Sequence, residues 1–294
     1  MAKRSQPSLS PTEQLHRRWL INQAGGARAR VSRWRTLPWL ILQRLGFNVW
    51  TTAPLFFGQR MHVLTGETIS RDLLAFGYSE LALTALMQKV VKPGMCFVDV
   101  GAHFGYEALL ASELIGETGR VVSFEPQPHI FSILSKNLRG LKNARAVNAA
   151  VGSRVGTAEM QAVNILQSAF AAIAKESQAF QARVPLTTLD DALLSHERPV
   201  DFLKCDVEGN EMDVLRGAQN ILKNDHPLLV LEAEMPRPER PRVREFTDFL
   251  SPMGYRPRMF EYNGALRVGD VETSHANVAF VPQRFHAAME NADR

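Results

Sequence analysis

From about residue 91 the chain alternates short apolar runs with segments whose apolar residues recur at helical spacing. MCFVDV (95–100) is an unbroken apolar run ending in an acid, the pattern of a strand buried on both faces. YEALLASELI follows with helical spacing and stops at Gly116. RVVSFEP reads as a second strand. PHIFSILSKNLRG reads as a helix with Pro128 near its start, Ile130, Ile133, Leu134 and Leu138 on one face, and Gly140 at its end. ARAVNAAVG gives a third strand and VDFLKCDVEG a fourth. NEMDVLRGAQNILK is expected to be one helix burying Val214, Leu215, Ala218, Ile221 and Leu222. PLLVLEAE is a fifth strand, followed by a helical VREFTDFL. Strands alternating with helices need crossover connections, hence a parallel sheet covered on both faces. The ending differs: Asn263-Gly264 inside MFEYNGALRV signals a hairpin, and ANVAFVP is a last strand, so the sheet should finish antiparallel. Residues 157–183, rich in Ala and Gln and without a clean period, read as an insertion or lid.

The remaining segments divide the chain into an arm (1–50), a helical lead-in (51–90), the main domain (91–283) and a tail (284–294). Across 294 residues, 45% hydrophobic and 22% charged residues describe an ordinary globular chain, and no run approaches the roughly 20 apolar residues of a membrane-spanning helix. Charge is uneven. Residues 1–50 hold nine Lys/Arg and one acid, a local +8 within a chain of net +4, which leaves the other 244 residues near −4. The basic character therefore belongs to the arm, which argues against nucleic acid as a partner of the main domain. The first thirty or so residues read as poorly ordered, with no apolar segment of a secretory signal, although Arg- and Ser-rich composition is compatible with an organellar transit peptide. RTLPWLILQRLGF is a short apolar helix candidate. It reads either as docked on the main domain or as a contact for a membrane surface or protein partner. Cys96 and Cys205 both fall in buried strands, which fits a reduced, cytoplasmic setting better than a disulfide framework.

Acids mark the ends of the strands. Asp99 closes the first, Glu125 the second, and Asp206 and Glu208 the fourth, where ligands bind in open α/β sheets. Between the first strand and its helix lies the glycine loop DVGAHFGYE. It has no Lys in P-loop register, and the positions of a dinucleotide fingerprint hold Gly101, His103 and Tyr106. A fixed carboxylate at Asp99 would repel a pyrophosphate and favour a cationic group such as an amino-acid ammonium. Glu125 stands at the separation from Gly101 at which a second-strand acid reaches ribose hydroxyls. A ligand with a ribose, an ammonium and no phosphate is S-adenosylmethionine.

The segment from about Gly94 to Glu234 resembles the FkbM-type family of S-adenosylmethionine-dependent methyltransferases. VKPGMCFVDVGAHFGYEALLAS, VPLTTLDDAL and VDFLKCDVEGNEMDVLRGA with the following PLLVLEAE carry the resemblance. The lead-in GETISRDLLAFGYSELALTALMQKVVKPG is similar to the family's preceding helices. The resemblance implies a class I methyltransferase fold: a Rossmann-like α/β three-layer sandwich whose mostly parallel, seven-stranded sheet ends on an antiparallel strand. The cofactor site then comprises Asp99, Gly101, Ala102, His103, Gly105, Glu125, Pro126 and Asp206. The stretch from Asn148 to Val151, with Ala150, is implied to reach the adenine. The family usually has Asn where His103 stands. Both tolerate positive φ, so His103 is read as a backbone substitute and not a catalyst.

Methyl transfer from a sulfonium is an in-line displacement, so the protein mainly positions the reactants. A hydroxyl acceptor also needs a base. Glu208 is the first candidate, with Asp206 orienting the cofactor ammonium or the acceptor. Glu211 reads as a first-turn helix acid. These three carboxylates suit a divalent metal in chemistry, but no fourth ligand is apparent and no metal is expected. Lys204 is expected to pair with a neighbouring acid. Glu80 reaches the cleft if the lead-in helix packs over it, and Asp190 and Asp191 after Thr188 read as helix capping. The favoured reading is O-methylation of a small-molecule or glycan acceptor, on a sugar, glycan or secondary-metabolite hydroxyl. N-methylation, a NAD-type oxidoreductase and a non-catalytic binding module stay open as alternatives.

Overall fold

The apolar runs form the strands of one central sheet. The computed structural model describes residues 37, 38, 41, 44, 45, 47–161, 181–233, 243–269 and 277–285. The expectations for the rest of the basic arm, for the centre of the insertion and for the tail beyond residue 285 lie outside them. Strands β1 (Trp50–Pro54) and β2 (Arg60–Leu64) form a separate antiparallel pair. The sheet itself is built from β3 (Cys96–Val100), β4 (Arg120–Phe124), β5 (Ala144–Val147), β9 (Phe202–Cys205), β10 (Leu228–Leu231), β11 (Tyr255–Phe260), β12 (Leu266–Arg267) and β13 (Val278–Pro282). A small three-stranded sheet holds β6 (Ala150–Val151), β7 (Gly156–Gln161) and β8 (Gln181–Thr187).

The order in the central sheet is β12-β11-β13-β10-β9-β3-β4-β5. Neighbours from β10 to β5 are parallel, and β13 runs antiparallel between β10 and β11. Seven strands thus follow the expected plan, and β12 adds an eighth through the hairpin at Asn263-Gly264. Chain order reverses between β3 and β9, which places a cleft beyond their carboxyl ends.

Two cores cover the faces, and period-2 alternation assigns each side chain to one of them. One face packs α1 (Thr68–Phe76), α2 (Leu81–Val90), α3 (Tyr106–Ile115) and α4 (Pro128–Asn137) onto Phe97, Val121, Phe202 and Val230. Phe97 and Phe202 stack there at 5.0 Å, each fully buried side chain contributing about 1.5–3 kcal/mol by leaving water. The other face packs α5 (Leu189–Ala192), α6 (Glu211–Arg216), α7 (Gln219–Asn224) and α8 (Val243–Leu250) onto Val98, Val100, Leu203, Cys205 and Leu229. Both cysteines are buried and free. Among the described residues no helix is long and apolar enough to cross a membrane.

Four expectations need correction. The lead-in opens with the β1–β2 hairpin before its helices begin. The third strand divides, because after Val147 the chain leaves the central sheet and Ala150–Val151 pair with β8 instead. Residues 157–161 and 181–183 are no irregular insertion. They pair in continuous antiparallel register as β7 and β8, with residues 162–180 between them outside the description. The single helix after the fourth strand breaks at Gly217, whose carbonyl accepts from Asp190 N–H. A side chain at 217 would stand 2.0 Å from the Gly152 carbonyl, so close backbone approach sets the break. Asp190 then restarts the helix, its carboxylate accepting from the N–H groups of Asn220 and Ile221. Thr188 caps α5 by accepting from Asp191 N–H, so both acids of the TLDD segment serve helix starts.

Candidate active site at the sheet's switch point

The loop after β3 is built on a close approach. Gly101 has φ +82°, and a Cβ there would stand 1.8 Å from the Asp206 carbonyl oxygen, so only glycine lets the β3 and β9 ends touch. The loop's amides are already engaged. Gly101 and Ala102 N–H both donate to the Phe124 carbonyl at 3.0 Å, and Gly105 N–H donates to the Ala102 carbonyl. His103, at φ 50°, donates its N–H to Glu125 Oε2 at 3.1 Å. A phosphate cradle needs such amides pointing at the ligand, and here protein acceptors take them.

His103 therefore stands where a left-handed backbone is required, and its ring stacks on Phe104 at 4.1 Å. Burial lowers its pKa to about 4 against the opposing pull of Glu67, so the ring is neutral near pH 7. Glu125 also accepts Gln127 N–H at 2.9 Å through its other oxygen. Burial raises its carboxyl to about 7 while these two amides pull it back. Each oxygen keeps a second lone pair for a ligand hydroxyl. Asn148 fixes the same strand end by donating to the carbonyls of Glu125 and Pro126.

Beneath the loop lies a buried ion cluster. Asp99 and Lys204 are paired in register on adjacent strands and so project to the same face. Lys204 Nζ sits 3.6 Å from Asp99 Oδ1 and 3.5 Å from Asp206 Oδ2, and donates to the Gly101 carbonyl at 3.3 Å. Burial alone would lower the lysine pKa, but Asp99, Asp206, Glu107 and Glu80 outweigh it and hold it well above the usual range. Asp99 is fully buried, and burial raises its carboxyl despite Lys204.

The fourth strand runs into Asp206-Val-Glu-Gly209. Glu208 is left-handed (φ 57°) and Gly209 follows at φ 104°. Glu211 holds this turn by accepting the N–H groups of Val207 and Gly209, each at 3.1 Å, which goes beyond the first-turn role expected of it. Its place in the acid group is taken by Glu232 at the end of β10. Carboxylate oxygens of Asp206, Glu208 and Glu232 lie within 4.8 Å of one another.

A cleft with about 790 Å³ of empty space opens over these groups. Gly101, His103, Glu125, Pro126, Ala150, Asp206 and Glu208 line it. Asp99, Ala102 and Gly105 do not; Asp99 lies behind the wall and acts on the cleft through Lys204. Glu80 does line the cleft, so the lead-in packs over it, and Ile69 of α1 and Met160 of β7 join from outside the central sheet. Glu107, Gln127 and Glu232 were not singled out from the sequence. For Glu107 the signal was available, since GYE places an acid in the first turn of the helix that leaves the glycine loop.

Among the described residues the cleft wall carries Glu80, Glu107, Glu125, Asp206 and Glu208 against one cation, Lys204. Such a surface suits a ligand with positive charge and hydroxyls, and it opposes a pyrophosphate. With the strand order, this defines a class I methyltransferase fold, and the residues present fit S-adenosylmethionine. The sequence pattern of the Methyltransferase FkbM domain matches residues 99–257, more than half of the chain, and the chain belongs to that family. The methyltransferases of this family use S-adenosylmethionine. No curated protein sequence matches the chain. Among solved structures it is similar to methyltransferase FkbM from Methylobacillus flagellatus KT, at 15% identity and TM-score 0.43 over 72% of this chain and 52% of that one. The match thus spans about half the length of the Methylobacillus chain. It is also similar to Aeropyrum pernix fibrillarin with natively bound S-adenosyl-L-methionine (16%, TM-score 0.43, 80% of this chain and 99% of that one). A third likeness is to an S-adenosylmethionine-dependent O-methyltransferase from Thermotoga maritima (15%, TM-score 0.41, 78% and 76%).

The acid wall predicts a pH dependence. Burial is the largest cause that raises Glu80 to about 7, Glu107 to about 8 and Glu125 to about 7. Folded pKa values above the unfolded ones mean that the ligand-free protein holds extra protons. Its stability is therefore fullest at low pH and falls as pH rises from about 4.5 towards about 7 to 8, by up to about 1.4 kcal/mol per pH unit for each group, and levels off above that. A cationic cofactor needs these groups ionised, so its affinity should tighten between about pH 5.5 and pH 7, by up to about tenfold per unit for each carboxyl that ionises on binding. Denaturant unfolding and calorimetry across that range check both slopes. Affinity that weakens as pH rises over it would contradict the account.

Proposed function

We propose that the chain transfers the methyl group of S-adenosylmethionine to a hydroxyl oxygen of a sugar, glycan or secondary metabolite. The observation that carries this reading is the carboxylate group at the fourth strand's end, together with the backbone that presents it. Glu208 is held left-handed although Gly209 beside it adopts such a backbone freely. A non-glycine residue in that region costs about 1–3 kcal/mol, and strain of this kind collects at functional sites. An amine acceptor needs no strong base once deprotonated, whereas a hydroxyl does.

In this reading the wall around Gly101, Glu125 and Ala150 binds the cofactor, and Glu125 accepts its ribose hydroxyls. S-adenosylmethionine supplies an electrophilic methyl group when bound. Glu208 takes the acceptor's proton as the oxygen attacks. Asp206, whose carboxylate is paired with Lys204, orients the acceptor beside it. The Glu211 carboxylate holds the turn so that Glu208 keeps its place.

Glu208→Gln keeps the shape of the side chain and removes the base. Cofactor affinity is expected to stay within about twofold while turnover falls about 10²–10⁴-fold. A screen of hydroxylated acceptors with methyl-labelled cofactor supplies the assay. Label appearing on nitrogen, or normal turnover by Glu208→Gln, would overturn the assignment of the oxygen or of the base respectively.

A further inference from the structure

Glu80 precedes α2 and is the cleft's acid from the lead-in. Its backbone is left-handed (φ 39°, ψ 67°), a conformation that glutamate seldom adopts. It stands at the N-cap position of α2, yet its side chain makes no capping hydrogen bond. Instead the carboxylate lies in the wall of the cleft and accepts from Asn277 Nδ2 at 2.8 Å. Asn277 lies 197 positions along the chain, immediately before β13. The groups facing Glu80 are the Lys204 ammonium and the carboxylates of Asp206 and Asp99, with Glu107 and Tyr106 nearby. Helix start, backbone and burial all favour another residue here, so the reason for a glutamate lies in what the cleft holds.

The cleft has two ends. Glu125, Pro126, Gln127 and Ala149–Val151 line the end beyond β4 and β5, where a ribose and base fit. Glu80 shares the other end with Gly101, Lys204 and Asp206, and that end must take the amino-acid part of the cofactor. One ammonium from Lys204 there faces several carboxylates, so a second ammonium is the missing charge. We propose that Glu80 binds the α-ammonium group of S-adenosylmethionine, with Asn277 holding the carboxylate in position. This role holds whichever atom of the acceptor is methylated. Burial raises the Glu80 carboxyl to about 7 before the ligand arrives, consistent with a group that ionises fully only when its cation is present.

Calorimetry with three ligands separates the cases without an acceptor. S-adenosylmethionine and S-adenosylhomocysteine both carry the ammonium, the second has no sulfonium charge, and 5′-methylthioadenosine has no amino-acid part. Glu80→Gln should weaken the first two alike, by about 10- to 100-fold for one lost charge-assisted hydrogen bond. Binding of 5′-methylthioadenosine should stay within about twofold. Unchanged affinity for all three, loss for S-adenosylmethionine alone, or equal loss for all three would each overturn the assignment. Glu80→Asn gives a second readout, because asparagine accepts the left-handed backbone. Its thermal midpoint should rise while affinity for both ammonium ligands falls. A lower midpoint with unchanged affinity would make Glu80 a structural residue and end the proposal.

Discussion

Gly101→Ala is expected to destabilise the protein by about 2–5 kcal/mol and to abolish measurable cofactor binding. Two independent costs meet at this position. The backbone is left-handed at φ +82°, which costs an L-residue about 1–2 kcal/mol. The added methyl would stand 1.8 Å from the Asp206 carbonyl, a rigid backbone atom, so the ends of β3 and β9 must separate. Separation also moves the Gly101 carbonyl that receives Lys204 and the amides that bond the Phe124 carbonyl. Urea unfolding of Gly101→Ala beside the parent protein measures the loss. A loss under about 1 kcal/mol would show that the loop can yield and that the strand ends are less tightly set than described.

Lys204→Met is the second large effect. The lysine is 4% exposed and lies between two carboxylates, of which Asp99 is fully buried. Methionine fills the stem's volume but leaves Asp99 as a buried acid with no counter-ion. Breaking a buried pair in this way costs about 3–5 kcal/mol, a large share of a domain's usual stability of about 5–15 kcal/mol. The deficit should depend on pH in a defined sense. Burial already raises the Asp99 carboxyl, and removing the ammonium raises it further. With the folded pKa above the unfolded one, the variant keeps its stability at low pH, where Asp99 is protonated in both states. It loses that stability as pH rises through the folded pKa. Unfolding curves at about pH 5.5 and pH 8 should show the deficit widening with pH. A deficit that is small and equal at both values would mean that Asp99 does not depend on Lys204.

These two residues show what the sequence could and could not disclose. Asp99 at the end of an apolar strand, and Glu125 at the end of the next, marked the edge of the sheet over which the cleft opens, because strand ends are readable from hydrophobic runs. The direction in which Asp99 acts was not readable. CFVDV gives its face by alternation, but its partner on that face is set by the register of β3 against β9, a contact between residues 105 apart. Lys204 could be suspected of pairing with an acid, yet which acids it joins is again a matter of register. The break at Gly217 was hidden for a similar reason. Its local sequence is good helix, and the Gly152 carbonyl that forbids a side chain there comes from another part of the chain. His103 was read correctly as a residue in a left-handed backbone, since that preference is local and intrinsic. Ala150 reached the cleft even though the strand assigned to it proved to be two, because β6 begins three residues after the end of β5.

The cleft over Gly101, Glu125 and Asp206 is expected to hold S-adenosylmethionine and not a pyrophosphate nucleotide. Titration calorimetry of the full chain with S-adenosylmethionine and, separately, with NAD tests it most directly, with Glu125→Ala alongside. Saturable one-site binding of S-adenosylmethionine, weakened about tenfold or more in Glu125→Ala, and no heat from NAD are the predicted results. Saturable binding of NAD with none of S-adenosylmethionine would contradict the account.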